Sequence, residues 1–140
     1  MTLTDTTVAF PREGVEEEPL YLVGLLNTKL MTFRFRGLGK LTSPNMWESF
    51  DNSISDLPIR RIDFGSELER QSHDEVVRVV RDLEESLTAS LHAASANERS
   101  TARRLVEALE DELEEMVLDL YDIADPADRD EIIQRGTRLD

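Results

Sequence analysis

Two stretches of regularly spaced apolar residues in the second half of the chain constrain its fold more than any other feature. The first stretch contains, at steps of three or four residues, Val76, Val80, Leu83, Leu87 and Leu91. After the polar segment AASANERS at 93–100, the second stretch runs at the same steps from Leu105 to Ile123. Such steps place side chains on one face of an α-helix. The sequence therefore predicts two amphipathic helices that form an antiparallel hairpin or a short coiled coil.

Short signals indicate where the helices of this region begin and end. Ser72 and Glu75 have the spacing of a capping box, which predicts the start of the first long helix. The Asp-Pro pair that begins at Asp125 is typical of an N-cap followed by proline at the first helical position. A short last helix is therefore predicted to run to about Arg135, with Gly136 as its C-terminal signal.

The first half of the chain gives a different pattern. The β-branched segment Thr4–Phe10 predicts one short strand. Apolar residues at helical steps predict a helix over Leu20–Arg36, which two glycines then end. Leu41–Met46 has the Ser-Pro-Asn content of a turn or loop, and Trp47–Leu57 is expected to form a short helix before a proline. The predicted fold is mainly α, with a short N-terminal strand, a helix and loop, an antiparallel, coiled-coil-like helical hairpin and a short C-terminal helix.

Charge is distributed unevenly along the chain. The whole chain has a net charge of −14, but residues 20–62 have a net charge of +3 and residues 63–140 a net charge of −13. The basic residues are 14 arginines and 2 lysines. Many acidic residues with so few lysines are typical of proteins from high-salt or high-GC organisms, in which acidity is a general solubility trait. The total charge therefore says little about partners, and residues 20–62 form a basic, apolar and aromatic island.

Composition argues against several classes of protein. The chain has no cysteine, so it forms neither a disulfide framework nor a cysteine-based metal site. No apolar run reaches the length of a membrane span, because Lys29, Arg34 and Arg36 interrupt the best one. The N-terminus lacks the basic and apolar regions of a signal peptide, so a cytoplasmic location is expected.

No arrangement of residues indicates catalysis. The sequence GLGK at 37–40 is too short for a phosphate-binding loop. The sequence has neither the Asn/Asp-Pro-Pro-aromatic motif with which an amino-methyltransferase holds a flipped base nor the acidic–x–Lys motif of nucleases. His73 and His92 lie near the ends of a predicted helix and are expected to be solvated. The acidic residues from Glu110 to Glu115 have the spacing of a solvated helix face, so we expect no metal site there. Because no catalytic or cofactor-binding motif is present either, we expect no enzyme activity and no cofactor.

Several motifs follow each other in an order that resembles a known protein region. They are YLVGLLNTKL at 21–30 with Phe33 and Phe35, then Trp47, Phe50, Ile54 and LPI at 57–59, and finally MVLDLYDI at 116–123 followed by ADRDEIIQRG. Over residues 4–136 they resemble the C-terminal part of the target-recognition (specificity) domain of TaqI-like adenine-specific DNA methyltransferases, which also occurs in type IIG restriction–modification enzymes. Residues 1–64 would then be the C-terminal fragment of that domain, and 65–140 the helical hairpin with the last helix.

This chain departs from the family pattern in two ways. The methyltransferase domain and most of the recognition domain have no counterpart in it. In addition, SPNMW at 43–47 replaces the Gly-Gly-aromatic sequence that the family often has in its loop.

The resemblance implies that this region helps to dock on and read duplex DNA. The candidate DNA-binding residues are Arg34, Arg36, Lys40, Ser43, Asn45, Arg60 and Arg61. Arginine can bind a phosphate or a guanine edge through two hydrogen bonds, and serine and asparagine can contact phosphates or base edges. In an alternative interpretation, these arginines are surface residues that form ion pairs with the surplus aspartates and glutamates.

Two functional hypotheses follow from the sequence. In the first, the chain is a non-catalytic DNA-recognition fragment of a restriction–modification or DNA methyltransferase system, which binds duplex DNA or a partner methyltransferase or restriction subunit. In the second, it is a structural interaction module that oligomerises through its helical hairpin, as a homodimer for example, without binding DNA. The acidic hairpin is expected to pack against other helices, because carboxylates near phosphates are repelled.

Overall fold

The chain folds mainly into α-helices. The computed structural model describes the backbone of residues 12–38, 40–43, 46–48 and 55–137 and the side chains of 12–38 and 55–137. Its elements are α1 (Pro19–Leu26), α2 (Lys29–Leu38), β1 (Lys40–Ser43), β2 (Met46–Glu48), α3 (Glu67–His92), α4 (Ala96–Leu120) and α5 (Pro126–Gly136). The predicted mainly α class is therefore confirmed for the described residues, while the strand predicted at Thr4–Phe10 lies outside them. None of the described helices combines the length and the apolar character that crossing a membrane would require.

The two long helices, α3 and α4, fold back on each other across a connection at residues 93–95. Arg78 of α3 reaches Glu112 of α4, with 2.9 Å between Nη2 and Oε1. The predicted pair of long helices is confirmed as a helical hairpin, and its coiled-coil geometry stays a prediction.

Helix α3 begins at an earlier serine than the sequence signal indicated. Ser66 is its N-cap, and its Oγ accepts a hydrogen bond from the N–H of Glu69 at 3.4 Å. Ser72 lies inside the helix, where its hydroxyl donates to the carbonyl of Leu68 at 3.1 Å. The prediction was wrong because the Ser-x-x-Glu spacing occurs twice, and the first serine has the extended backbone of an N-cap.

The helix predicted over Leu20–Arg36 is in fact two helices, because the chain breaks at Asn27 and Thr28. In a continuous helix the carbonyl of Leu25 would accept from the N–H of Lys29. Instead it accepts from the hydroxyl of Thr28 at 2.8 Å, while the side-chain amide of Asn27 donates to the carbonyl of Val23 at 2.8 Å. Short polar side chains therefore compete with the helical backbone bonds and end α1.

Glu114 of α4 holds the start of α2. Its Oε2 accepts from the N–H of Lys29 at 2.6 Å, and its Oε1 accepts from the N–H of Leu30 at 3.1 Å. The carboxylate thus satisfies two free donors at a helix N-terminus, where negative charge is favoured. Glu114 is only 4% exposed, and this burial raises the pKa of its carboxyl group. The expectation of a solvated acidic face at 110–115 is therefore wrong for this residue.

Helix α5 packs against the beginning of α2. Asp125 is its N-cap, as predicted, and Oδ1 of this residue accepts from the N–H of Ala127 at 2.7 Å. At the other end, a Cβ on Gly136 would collide with the carbonyl oxygen of Lys29. Gly136 is therefore needed for the close approach of two helices and not only as an end signal.

One hydrophobic core holds α1, α3, α4 and α5 together. Its fully buried members include Tyr21, Leu25, Val76, Val79, Val117 and Leu118. Gly24 allows close contact, since a Cβ there would lie 2.9 Å from side-chain carbons of both Val76 and Val80. This core combines residues from both predicted units, 1–64 and 65–140, and the division between them stays a prediction.

The core does not reach the far end of the hairpin. Leu87, Leu91 and Leu105 were expected in the apolar seam, but they are 49%, 81% and 51% exposed. The periodicity identified the helices correctly, but it does not show whether another element covers each turn.

Strands β1 and β2 pair in an antiparallel β-hairpin, where the sequence predicted a loop at Leu41–Met46 and a helix from Trp47. Lys40 lies opposite Glu48, and Leu41 lies opposite Trp47. The two residues between the strands, proline and asparagine, are common turn formers. The predicted helix Trp47–Leu57 is therefore wrong at its start, and its residues 49–54 lie outside the described residues.

His73 is a core residue and not a solvated one. It is 2% exposed and packs against the rings of Tyr21 and Phe64, with ring centroids 5.1 Å apart in both pairs. Its Nε2 accepts from the N–H of Glu18 at 3.1 Å, so the neutral ring carries its proton on Nδ1, 2.8 Å from Oδ1 of Asp74. His92 is exposed, as expected.

Candidate functional site

A basic cleft lies between the C-terminal halves of α2 and α5. It has a volume of about 580 Å³ and is lined by Phe33, Arg34, Arg36, Gly37, Gln134, Arg135 and Thr137. Two of the seven predicted DNA-binding residues, Arg34 and Arg36, therefore share one site. Arg135 is a third arginine of this site, which the sequence analysis missed. Only the packing of α5 against α2 brings it there, and no local signal around residue 135 indicates this.

The two predicted arginines of the cleft have different surroundings. The guanidinium group of Arg36 donates to the carbonyl oxygens of Arg135 and Thr137, the second at 3.0 Å. It thus binds the C-terminal end of α5, where cations are favoured by the helix dipole. Arg34 is exposed, and the described part of the chain provides no ion pair for it. No described carboxylate therefore competes with an external anion for the Arg34 guanidinium group.

Arg60 is held inside the molecule by its backbone and its side chain. Its carbonyl accepts from the hydroxyl of Tyr21 at 2.9 Å, and its N–H donates to the hydroxyl oxygen of Tyr121 at 2.9 Å. Its guanidinium group lies 3.3 Å from the carboxylate of Glu69. Within the described residues its Nε is buried and has no hydrogen-bond partner. These contacts connect segment 58–62 to α1, α3 and the end of α4.

Arg61 forms a two-point ion pair with Glu17. Its Nε lies 2.6 Å from Oε1 and its Nη2 lies 3.1 Å from Oε2. Glu17 also accepts from the N–H of Ile62 at 3.1 Å, and its side chain is only 7% exposed. The hydrogen bond from Arg61 is the main cause that lowers the pKa of Glu17 to about 2. For Arg60 and Arg61, the geometry matches the alternative interpretation, in which surface arginines form ion pairs with glutamates of the chain.

Two of the remaining predicted residues belong to the β-hairpin that directly follows α2. Lys40 is the first residue of β1 and Ser43 is its last. The described residues include the backbone of both but not their side chains, and Asn45 lies outside them. The structure thus groups Arg34 and Arg36 in one cleft, places Lys40 and Ser43 on the next element, and gives Arg60 and Arg61 other partners.

Comparison with known proteins relates part of the chain to methyltransferases. It is 29% identical over 79 residues to the type II methyltransferase M.HincII of Haemophilus influenzae, and equally to the type II methyltransferase M.HindII of Haemophilus influenzae strain Rd. Each match covers 55% of this chain and 15% of the relative. No family model matches the chain. No solved structure matches it either.

Proposed function

We propose that this chain is a non-catalytic DNA-recognition part of a restriction–modification DNA methyltransferase system, and that it binds duplex DNA. The similarity to type II methyltransferases supports this relation. Because the match covers only 15% of each relative, catalysis would belong to a separate part or partner subunit. This proposal agrees with the resemblance of the motif order to a target-recognition domain.

The observation that carries the DNA role is the exposed guanidinium group of Arg34 in the basic cleft, which no described carboxylate pairs with. This chain has 30 acidic residues and 16 basic ones, so an exposed arginine has many carboxylates available. Yet Arg34 forms no ion pair with any described residue. Arg36 lies in the same cleft, and arginine is well suited to phosphate oxygens because its planar group offers several donors.

The adjoining β-hairpin supports a DNA-binding role for the same surface. A two-stranded β-ribbon fits into the major groove of DNA, where base edges can be read. Lys40 and Ser43 lie at the two ends of strand β1, directly after α2. In this proposal the cleft arginines bind the phosphate backbone of the DNA. They thereby position the β-hairpin, which contacts the base edges.

Arg34→Gln tests this surface. Fluorescence anisotropy with a labelled mixed-sequence duplex, between 50 and 200 mM salt, should show binding that weakens as salt increases. Losing one phosphate contact should reduce the slope of log affinity against log salt by about 0.9. The matched control is Arg81→Gln, because Arg81 is equally an exposed helical arginine but is paired with Glu18 at 2.7 Å.

Two results would contradict the proposed function. One is the absence of duplex binding by the unchanged protein even at the lowest salt. The other is binding in which Arg34→Gln and Arg81→Gln have the same salt slope as the unchanged protein.

The exposed leucines favour a second candidate function, that of an interaction module. Leu87 and Leu91 of α3 are one helical turn apart, and Val23 and Leu26 of α1 are 43% and 40% exposed. Val23, Leu26 and Leu87 border an open groove of about 550 Å³ between α1, α3 and α4. Such apolar surface suits a second helix in a homodimer or in a partner subunit.

Light scattering after gel filtration tests this second candidate. A chain of 16.0 kDa that forms a dimer should double its measured mass, and L87Q/L91Q should return it to the monomer. A monomer at every concentration would contradict a homodimer that forms through this surface.

A further inference from the structure

Three of the six described arginines that form no ion pair with a described carboxylate lie close together in the sequence. Among the described arginines, those paired with a carboxylate are Arg60, Arg61, Arg70, Arg78, Arg81, Arg129 and Arg135. Arg12, Arg34 and Arg36 have no such pair in the described ranges, and neither do Arg99, Arg103 and Arg104. The last three lie together on the N-terminal half of α4. The pairing pattern thus singles out a second basic site, far along the sequence from the cleft.

This second site is a shallow groove on the hairpin tip, which we define as residues 86–107. The groove has a volume of about 440 Å³ and is lined by Ala96, Arg99, Ser100, Arg103, Arg104 and Glu107. All six residues are exposed. Arg99 and Arg103 are four residues apart, so their side chains are neighbours on one face of the helix. Like charges at this spacing destabilise a helix, a cost that an external anion would remove.

The charge of the tip differs from that of the rest of α4. Residues 86–107 contain three arginines and two glutamates, whereas residues 108–120 contain six acidic residues and no basic one. The nearest of these, Glu110, is about 9 Å from Arg104 along the helix axis, at a rise of about 1.5 Å per residue. Because the Debye length at physiological salt is about 8 Å, the tip is largely screened from the acidic part. The expectation that the hairpin avoids DNA rests on its total charge and does not apply to its tip.

We propose that the hairpin tip is a second phosphate-binding site, at which Arg99, Arg103 and Arg104 contact the backbone of duplex DNA. This inference rests on the proposed function, since it takes duplex DNA as the ligand. The lining favours a phosphate backbone over a protein surface. Docking sites for proteins usually have an apolar centre with aromatic or aliphatic anchors, but this groove contains only charged residues, one serine and one alanine. Charged and small polar side chains are typical of contacts to phosphates.

The test replaces the three arginines in R99Q/R103Q/R104Q. Glutamine keeps a high helix propensity and removes the charge. If each arginine contacts one phosphate, the slope of log affinity against log salt falls by about 0.9 per arginine, between two and three in total. The matched control is R70Q/R78Q/R81Q, which removes three exposed, ion-paired arginines from α3 and changes the net charge equally.

A single label locates the contact directly. The chain has no cysteine, so S100C provides a unique attachment point inside the groove for a fluorophore. Q71C provides the control on an exposed position of α3 at the other end of the hairpin. Duplex DNA should change the emission of the label at position 100 and leave that at position 71 unaltered.

The outcomes separate the tip site from the proposed function. If R99Q/R103Q/R104Q and the unchanged protein bind DNA with the same salt slope, the tip contact is wrong and the cleft remains. If the unchanged protein binds no duplex at any salt, both proposals fail. If only poly-glutamate, and not duplex DNA, changes the emission of the label at position 100, the tip binds an acidic protein surface and this inference is overturned.

Discussion

The base and the tip of the α3–α4 hairpin belong to the same two helices but have opposite surroundings. At the base, residues 67–85 and 108–120, side chains such as Val79 and Val117 are completely buried in the hydrophobic core. At the tip, Leu91 is 81% exposed. Arginines follow the same division, since those of α3 at the base are ion-paired whereas the three at the tip have no ion pair with any described residue.

This difference separates the residues that hold the fold from those whose charges and apolar surface remain exposed. Residues that hold the fold have satisfied their charges and buried their apolar surface within the chain. Residues that leave both unsatisfied contribute little to the folded state, and they are available to an external partner. The cleft between α2 and α5 combines both situations, because Arg36 binds the end of α5 while Arg34 is exposed and has no ion pair among the described residues.

The largest expected effect concerns the core of the base. Leu118 is fully buried, so Leu118→Ala should lower the free energy of unfolding by about 2–5 kcal/mol through lost burial and the remaining cavity. Leu91→Ala, the matched change at the tip, should alter it by less than about 0.5 kcal/mol. Urea denaturation followed by circular dichroism measures both. Equal losses of unfolding free energy in the two variants would show that Leu91 is covered as well as Leu118. The contrast between the base and the tip of the hairpin would then be wrong.

The next largest effect concerns the carboxylate that holds α2. Each oxygen of Glu114 accepts from a different backbone N–H, whereas glutamine offers only one acceptor oxygen. Glu114→Gln should therefore leave one buried donor unsatisfied and cost about 1–3 kcal/mol. The exposed neighbour Glu112, changed to glutamine, is the control and should cost less than about 1 kcal/mol. A Glu114→Gln variant as stable as the control would mean that the two N–H groups have other partners.

Much of the helical framework was predictable because its causes are local. Apolar spacing identifies α3 and α4, and the Asp-Pro pair at Asp125 identifies the start of α5. The break at Asn27 and Thr28 is local too, but it depends on side-chain bonds that helix periodicity ignores. The capping signal at Ser72 failed because two serines shared the same spacing, and the sequence alone ranks them poorly.

The candidate site was less predictable because its causes are distant in sequence. Glu114 caps a helix that begins 85 residues earlier, and among many acidic neighbours nothing marks it as buried. Arg135 joins the cleft only through the packing of α5 on α2. Arg61 and Arg34 look alike in the sequence, but only the fold places a nearly buried carboxylate beside Arg61. Averaging charge over 63–140 also concealed the basic tip.

A smaller, pH-dependent effect concerns the ion pair between Glu17 and Arg61. Because the pKa of Glu17 is lowered to about 2, from an ordinary value of 4.5, its ionised form stabilises the folded state at neutral pH. This contribution is present above pH 4.5 and is lost as the pH falls from 4.5 towards 2. Glu17→Gln should cost about 1–2 kcal/mol at pH 7, and the difference should shrink in that window. Denaturation at several pH values measures it, and a difference that is independent of pH would contradict the assignment.

The smallest expected effect decides how the tip is interpreted. R99Q/R103Q/R104Q removes three charges that form no ion pair in the described part of the chain, so it breaks no internal contact of this kind. It also relieves the repulsion between Arg99 and Arg103, worth about 0.2–0.5 kcal/mol. The free energy of unfolding should therefore be unchanged or slightly higher, whereas R70Q/R78Q/R81Q removes surface ion pairs and should lower it by up to about 1 kcal/mol for each pair. If the tip variant keeps its stability, a loss of DNA affinity in it reflects lost contacts and not partial unfolding. A clear destabilisation would mean that the tip arginines support the helical hairpin itself.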